Sequence, residues 1–211
     1  MELNDKQLAR LSDGREYRAM RMTARDADEG GGMIVDGYAT TFNQPYLLYD
    51  GRDYKILEQI APSAFDECDM SDVIMQYNHE GRVFARNRNG TLTLTADAIG
   101  LKMTADLSGT DIGRQLYQEI KGGYTDKMSF GFVVAEDQRT VTVDHETNVE
   151  TVTRTITKIK KLYDVSAVSI PANDMTSISA RRYADGVIDG IKAERLERAK
   201  KLKKLKLMLE V

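Results

Sequence analysis

The chain contains few of the residues that build disulfide-linked or metal-centred domains. Its 211 residues include one cysteine, Cys68, only two histidines, three prolines and no tryptophan. A single cysteine cannot form an internal disulfide or a thiolate cage, and two histidines are too few for a His-rich zinc site. Composition therefore disfavours a disulfide-linked or zinc-centred domain.

Long apolar runs and a strong excess of one charge are also missing. No run approaches the roughly 20 residues that span a bilayer, and the first ten residues carry charge where a signal peptide is apolar. The net charge is −3, which offers nucleic acid no general attraction. With 41% hydrophobic and 30% charged residues, the sequence predicts one soluble globular domain without membrane contact.

Apolar periodicity predicts a β-rich α+β domain. The β-rich segments 128–135, 140–143 and 149–159 and the mostly apolar segment 162–170 predict strands, with a polar turn between the second and third. Ile112, Leu116 and Ile120 lie four apart after Thr110 or Asp111 as a cap, which predicts a helix.

Composition divides the chain into three parts. Residues 1–14 are a polar lead, 15–180 form the predicted folded domain, and 181–211 form a predicted basic amphipathic helix. Between Lys192 and Lys206 there are eight basic and two acidic residues. Such a helix either packs on its own domain or docks to a partner.

One strand could carry a nucleophile. In the segment 128–132, Met128, Phe130 and Phe132 share one face, while Ser129 and Gly131 share the other. A hydroxyl beside a glycine leaves space for a substrate backbone, although a small residue at a tight contact is the commoner explanation.

A serine nucleophile needs a base, and histidine titrates near neutrality. His145 lies in an acidic polar turn and is expected to be solvated. His79 follows the apolar stretch 73–77 at the end of a predicted strand, where catalytic side chains often emerge, so it is the better candidate. A hydrogen-bonded structural histidine is the alternative.

Asp164 is the candidate for the residue that orients this base. It is the only charged residue of the segment 162–170, and a buried carboxylate needs a polar partner, catalytic or structural. A Cys68–His79 pair is less favoured, because Cys68 lies on the apolar stripe of a short helix. The sequence has no GxSxG, GxxxxGK[ST] or HExxH motif.

Taken in chain order, the motifs of this sequence resemble those of a known family, the prohead proteases of tailed bacteriophages. That family is related in fold to the herpesvirus capsid proteases called assemblins. The resemblance covers about residues 15–180 and rests on the segments 37–42, 58–65, 78–79, 100–101, 129–132 and 162–168, together with Gly113. It departs from the family's usual pattern in having aspartate at position 164, where glutamate is common, and Ser63, where glycine is common.

The resemblance implies a mainly antiparallel, closed or partly closed barrel flanked by helices. It implies that Ser129 is the nucleophile, His79 the general base and Asp164 the orienting residue of a serine endopeptidase without cofactor or metal. Its expected partners are the major capsid protein or its scaffolding segment as substrate, and the chain itself as substrate and in a homodimer. The expected location is the interior of the immature capsid, the prohead.

Two other interpretations of the function stay open. A catalytically inactive capsid or scaffold protein could keep the fold, with Ser129 and Asp164 serving packing alone. A nucleic-acid binder could use the basic segment at the C-terminal end, although the acidic remainder disfavours it.

Overall fold

The computed structural model describes residues 5–25, 32–169 and 174–209. These residues form ten strands, three α-helices and two short 3₁₀ turns, at Pro62–Phe65 and Asn87–Asn89. The elements in chain order are α1 (Asp5–Ser12), β1 (Arg15–Ala24), β2 (Ile34–Thr41), β3 (Tyr46–Asp50), β4 (Tyr54–Ile60), β5 (Ile74–Tyr77), β6 (Glu80–Arg86), β7 (Leu92–Ala96), β8 (Gly100–Asp106), α2 (Asp111–Lys121), β9 (Lys127–Val143), β10 (Glu150–Val168) and α3 (Asp174–Leu209). The prediction of a β-rich domain is confirmed.

A long hairpin of β9 and β10 is the centre of the sheet. The strand order is β3-β4-β10-β9-β1-β2-β8-β7, and the β5–β6 pair branches from β10. The polar turn at the hairpin tip is where the sequence predicts it. The predicted break between 159 and 162 is wrong, because β10 continues through it. Register shifts between Ile156 and Asp164 change which face a residue occupies without ending the strand.

The prediction of a closed barrel is wrong for the residues that the structure describes. The strand order ends at β3 and β7, each of which pairs on one side only, and β6 likewise pairs only with β5. One bridge, from Phe42 to Ile60, joins the end of β2 to the end of β4. Asn43, the next residue, has a φ of 52°, and its backbone amide donates to the Ile60 carbonyl at 2.9 Å. A partly closed barrel and the likeness to assemblins stay predictions.

Alternation along β9 packs the core. Met128, Phe130 and Phe132 are buried on one face with apolar residues of β2, β8 and α2. Helix α2 begins where the sequence predicts, because the Thr110 hydroxyl accepts a hydrogen bond from the Gly113 amide. The face of β9 that carries Ser129 is therefore the one that does not fill this core.

Helix α3 continues through residue 180, the predicted boundary between the folded domain and the basic helix. The division into these parts stays a prediction. Its residues Ala184, Val187 and Ile188 pack on Ile56 and Val152 of the sheet. Farther along, four apolar side chains are exposed: Leu196, Leu202, Leu205 and Met208. The amphipathic character of this distal part stays a prediction. Within the described ranges, none of the helices has the length and apolar character needed to cross a membrane.

Candidate active site

Gly131 on β9 makes room for the candidate site. Its register partners are Asp164 on β10 and Tyr17 on β1. A Cβ atom at Gly131 would lie 2.7 Å from Asp164 Oδ2 and 2.8 Å from Tyr17 Cε1, closer than side chains can approach. Glycine therefore lets the carboxylate and the tyrosine ring lie over β9 at this point.

Ser129 lies on the same face, two residues before Gly131. Its register partners are Ser166 on β10 and Ala19 on β1, and directly opposed residues of paired strands share a face. Ser129 is only 1% exposed, and its Oγ has no hydrogen-bond partner. The nucleophile candidate is thus a buried hydroxyl without a structural hydrogen bond.

His79 reaches this face through a tight turn after β5. Strand β5 pairs in parallel with β10, where Tyr77 lies opposite Ala167. Asn78 and His79 follow with φ values of 50° and 61°, and the Asn78 amide donates to the Ala167 carbonyl at 2.8 Å. This left-handed pair ends the strand and turns the imidazole over the sheet.

A hydrogen bond joins His79 to Asp164. The distance from His79 Nδ1 to Asp164 Oδ1 is 2.5 Å, and Ser166 Oγ donates to the same oxygen at 2.6 Å. His79 is 1% exposed and Asp164 is 4% exposed. A buried carboxylate in contact with an imidazole can fix the orientation of the ring.

The surroundings favour the ionised form of Asp164. Burial alone would raise the pKa of this carboxyl group, because a charge is poorly solvated inside a protein. The charge and hydrogen bond of His79, the hydroxyl of Ser166 and the charge of Arg10 outweigh burial. The pKa of Asp164 consequently lies below its usual value.

The structure places the three candidate residues on one face but does not link all of them. His79 and Asp164 are bonded directly, whereas no hydrogen bond joins Ser129 to His79. His79 Nε2, the ring nitrogen not used by Asp164, is buried without a partner, as is Ser129 Oγ. A hydroxyl and an imidazole nitrogen, groups that can exchange a proton, are therefore both buried without a hydrogen-bond partner.

Three residues that the sequence reasoning missed complete the surroundings. The Tyr17 ring packs edge-on against His79 with ring centroids 4.5 Å apart. Arg10 of α1 donates to the His79 carbonyl at 2.5 Å. Ser166 was open to detection, because it is two residues from Asp164 and so shares its face. Tyr17 and Arg10 carry no such signal, because only the fold brings them near His79.

The competing candidates lie elsewhere. His145 is exposed in the hairpin turn, as expected. Cys68 is half-buried, and burial raises the pKa of its thiol to about 11, so the thiolate is scarce at neutral pH. Among residues 5–25, 32–169 and 174–209 no group of three or more potential ligands could hold a metal ion.

Comparison with known proteins identifies the family. A model of the caudovirus prohead serine proteases matches residues 19–187, most of the chain. The chain belongs to the caudovirus prohead serine protease family. The matched region contains Ser129, His79 and Asp164.

Comparison with solved structures gives similarity at a low level. The capsid assembly protease gp21 of bacteriophage T4 is 12% identical, with a TM-score of 0.36 over 72% of this chain and 98% of that chain. No match was found among curated proteins.

Proposed function

We propose that this chain is an active serine endopeptidase of capsid maturation, with Ser129 as nucleophile, His79 as general base and Asp164 as the residue that orients His79. The observation that carries the proposal is the buried His79–Asp164 hydrogen bond beside a serine hydroxyl and an imidazole nitrogen that both lack partners. Membership of the family supports the same reaction class.

The proposed reaction begins with the proton of Ser129. Because Nδ1 of His79 donates to Asp164, Nε2 is the nitrogen that can accept a proton. As substrate binds, Ser129 Oγ comes within hydrogen-bond reach of Nε2, a contact that is often formed only in the complex. Oγ then attacks the peptide carbonyl while Nε2 takes its proton.

The second half of the reaction returns that proton. The imidazolium of His79 protonates the leaving amine, and the acyl group stays on Ser129. Water, deprotonated by His79, then attacks the acyl-enzyme and releases the new carboxyl terminus. Throughout, the ionised Asp164 stabilises the positive charge that His79 carries for part of the cycle.

The proposed substrates are the scaffolding segment of the major capsid protein and the chain itself, cleaved inside the immature capsid. The test is co-expression of the full chain with its capsid protein, followed by intact-mass measurement of both over time. Wild type is expected to lose discrete fragments, and Ser129→Ala and His79→Ala to lose none. Ser71→Ala is the control, because Ser71 is exposed in the loop before β5.

Two outcomes contradict the proposal. Processing that continues in both Ser129→Ala and His79→Ala removes these residues from the mechanism. Absence of processing in every assembled particle favours a catalytically inactive capsid-assembly protein with the same fold.

A further inference from the structure

A groove opens where β2 leaves β1. The two strands pair only at residues 22–24 of β1, whereas residues 15–21 of β1 pair with β9 on the other side. The separation leaves a cavity of about 370 Å³, lined among others by Arg21, Gly37, Tyr38 and Lys102. None of these residues has a role in the proposed chemistry.

Most residues of the groove lie on the face of the sheet that carries Ser129, whereas Met20 and Gly37 lie on the Met128 face. Ala19 is the register partner of Ser129, and Arg21 and Thr23 follow it at two-residue steps on the same face. Across the strands, Thr23 pairs with Asp36, and Tyr38 pairs with Lys102. These pairs continue the Ser129 face onto β2 and β8.

Exposure of this face of β1 increases from the candidate active site toward the groove. Along this face of β1, Tyr17 is buried, Ala19 is half-buried and Arg21 is exposed. Arg21 is two residues beyond Ala19, roughly 7 Å along the strand, and β2 is two strand spacings from β9, roughly 10 Å. An extended peptide whose scissile bond lies at Ser129 therefore reaches the groove within about three residues.

The carboxylates around the groove are already engaged. Asp36 is paired with Arg25 and accepts a hydrogen bond from Thr104 at 2.7 Å. The Tyr38 hydroxyl donates to Asp97 at 2.7 Å. Farther along the same face, Lys127 Nζ lies 2.7 Å from Asp126.

The two basic residues of the groove, Arg21 and Lys102, are not engaged in the way that these carboxylates are. Within the part of the chain that the structure describes, Arg21 and Lys102 form no ion pair. Both side chains are exposed, and their charges act on Asp126 and Asp97 only from a distance. The groove therefore has positive charge available for a ligand, beside the apolar ring of Tyr38.

We infer that this groove is a substrate subsite that binds an acidic side chain of the peptide, within about three residues of the scissile bond. The inference rests on the proposed function of Ser129. Arg21 and Lys102 bind the carboxylate, and the Tyr38 ring contacts the aliphatic part of the side chain. The Tyr38–Asp97 hydrogen bond holds that ring as a wall of the groove.

The test measures binding without cleavage. Full-length Ser129→Ala chain is titrated with fluorescent octapeptides of alanine and leucine that carry one glutamate at each position in turn, and with glutamine counterparts. The best glutamate peptide is expected to bind about 5- to 10-fold more tightly than its glutamine counterpart at low salt, and less so at high salt.

Variants assign the effect to the groove. Arg21→Ala with Lys102→Ala is expected to abolish the preference for glutamate, whereas Lys160→Ala, which removes an exposed cation of β10, is expected to keep it. Circular dichroism checks that each variant is folded. Equal affinity for the glutamate and glutamine peptides, or a preference that survives loss of both cations, overturns the inference.

The outcome is separable from that of the proposed function. If wild type cleaves no substrate but the preference for glutamate depends on Arg21 and Lys102, the subsite stands and the endopeptidase proposal fails. If wild type cleaves and the double variant keeps the same residue preference around its cleavage sites, the subsite fails and the endopeptidase proposal stands.

Discussion

Two buried polar clusters in this molecule differ in how completely their groups are paired. The first is an ion cluster in which Glu58 accepts from Arg18 at 2.6 Å and from Arg154 at 2.8 Å. Arg154 also pairs with Glu16 and Asp137, each at 2.7 Å. The second is the candidate site, where His79 Nε2 and Ser129 Oγ are buried without partners.

We assign the ion cluster a role in stabilising the fold and the candidate site a role in binding a ligand. In the ion cluster, burial alone would raise the pKa of Glu58, but the charges of Arg18 and Arg154 hold it below its usual value. Such a closed set of ion pairs leaves no group free to react with a ligand. An unpaired buried hydroxyl costs stability, so its place beside a buried His–Asp pair is better explained by a ligand than by folding.

The largest expected effect is on activity at Ser129. Ser129→Ala should lower cleavage by at least about 1,000-fold, because the nucleophile is lost. The free energy of unfolding should not fall and should rise by about 1 kcal/mol, because the variant removes a buried hydroxyl that has no hydrogen-bond partner. Capsid-protein cleavage and urea denaturation measure the two quantities. A large loss of stability would show that Ser129, like the ion cluster, stabilises the fold.

Glu58 should show the opposite pattern. Glu58→Gln leaves the positive charges of Arg18 and Arg154 without their shared carboxylate, and should cost about 3–5 kcal/mol of unfolding free energy. Urea denaturation measures it, with Glu146→Gln in the exposed hairpin turn as control. A cost below about 1 kcal/mol would contradict the supporting role.

Acid should weaken both clusters. The pKa values of Asp164 and Glu58 are lowered in the folded chain, so their contributions are present above the unfolded-state values, near 4, and are lost as the pH falls below them. The free energy of unfolding should fall by about 1–3 kcal/mol between pH 5 and pH 3. Urea midpoints measured across this range test it. Asp164→Asn should reduce the slope, and an unchanged slope would contradict the assignment.

The smallest effect is expected at Ser166. Ser166→Ala removes a donor to Asp164 Oδ1, which raises the pKa of that carboxyl group and leaves His79 less firmly oriented. We expect kcat to fall about 10-fold with KM unchanged, and the acid limb of the pH–rate profile to move to higher pH. Ser71→Ala is the control. An unmoved acid limb would make Ser166 a packing residue only.

Residue type and chain position predict the three candidate residues of the site but not the neighbours Tyr17, Arg10 and Ser166. Asp164 is the lone charge of an apolar strand, which predicts a buried polar partner, and the structure gives it His79. The sequence predicts two strands, 149–159 and 162–170, where the structure has the single strand β10, because Lys160 and Lys161 interrupt the apolar pattern while the bulges keep the strand intact. Periodicity reports faces, whereas bulges depend on the partner strand.

The sequence also does not predict which strands pair or in which register, for a related reason. Ser129 and Ser166 are opposite each other only because of the β9–β10 register, and Tyr17 meets His79 only because β1 and β10 flank β9. Such contacts depend on long-range order, which local patterns do not encode. The closed barrel depends on the same long-range pairing, and between the ends of β2 and β4 the structure has the Phe42–Ile60 bridge in place of a ladder.

The most direct test of the central claim is covalent labelling by diisopropyl fluorophosphate, read by intact mass and peptide mapping. Attack of an activated serine oxygen on phosphorus forms a P–O bond and releases fluoride. The account predicts one adduct per chain on Ser129, absent in His79→Ala and formed more slowly in Asp164→Asn. An adduct on another residue, or labelling of Ser129 at the same rate without His79, would contradict it.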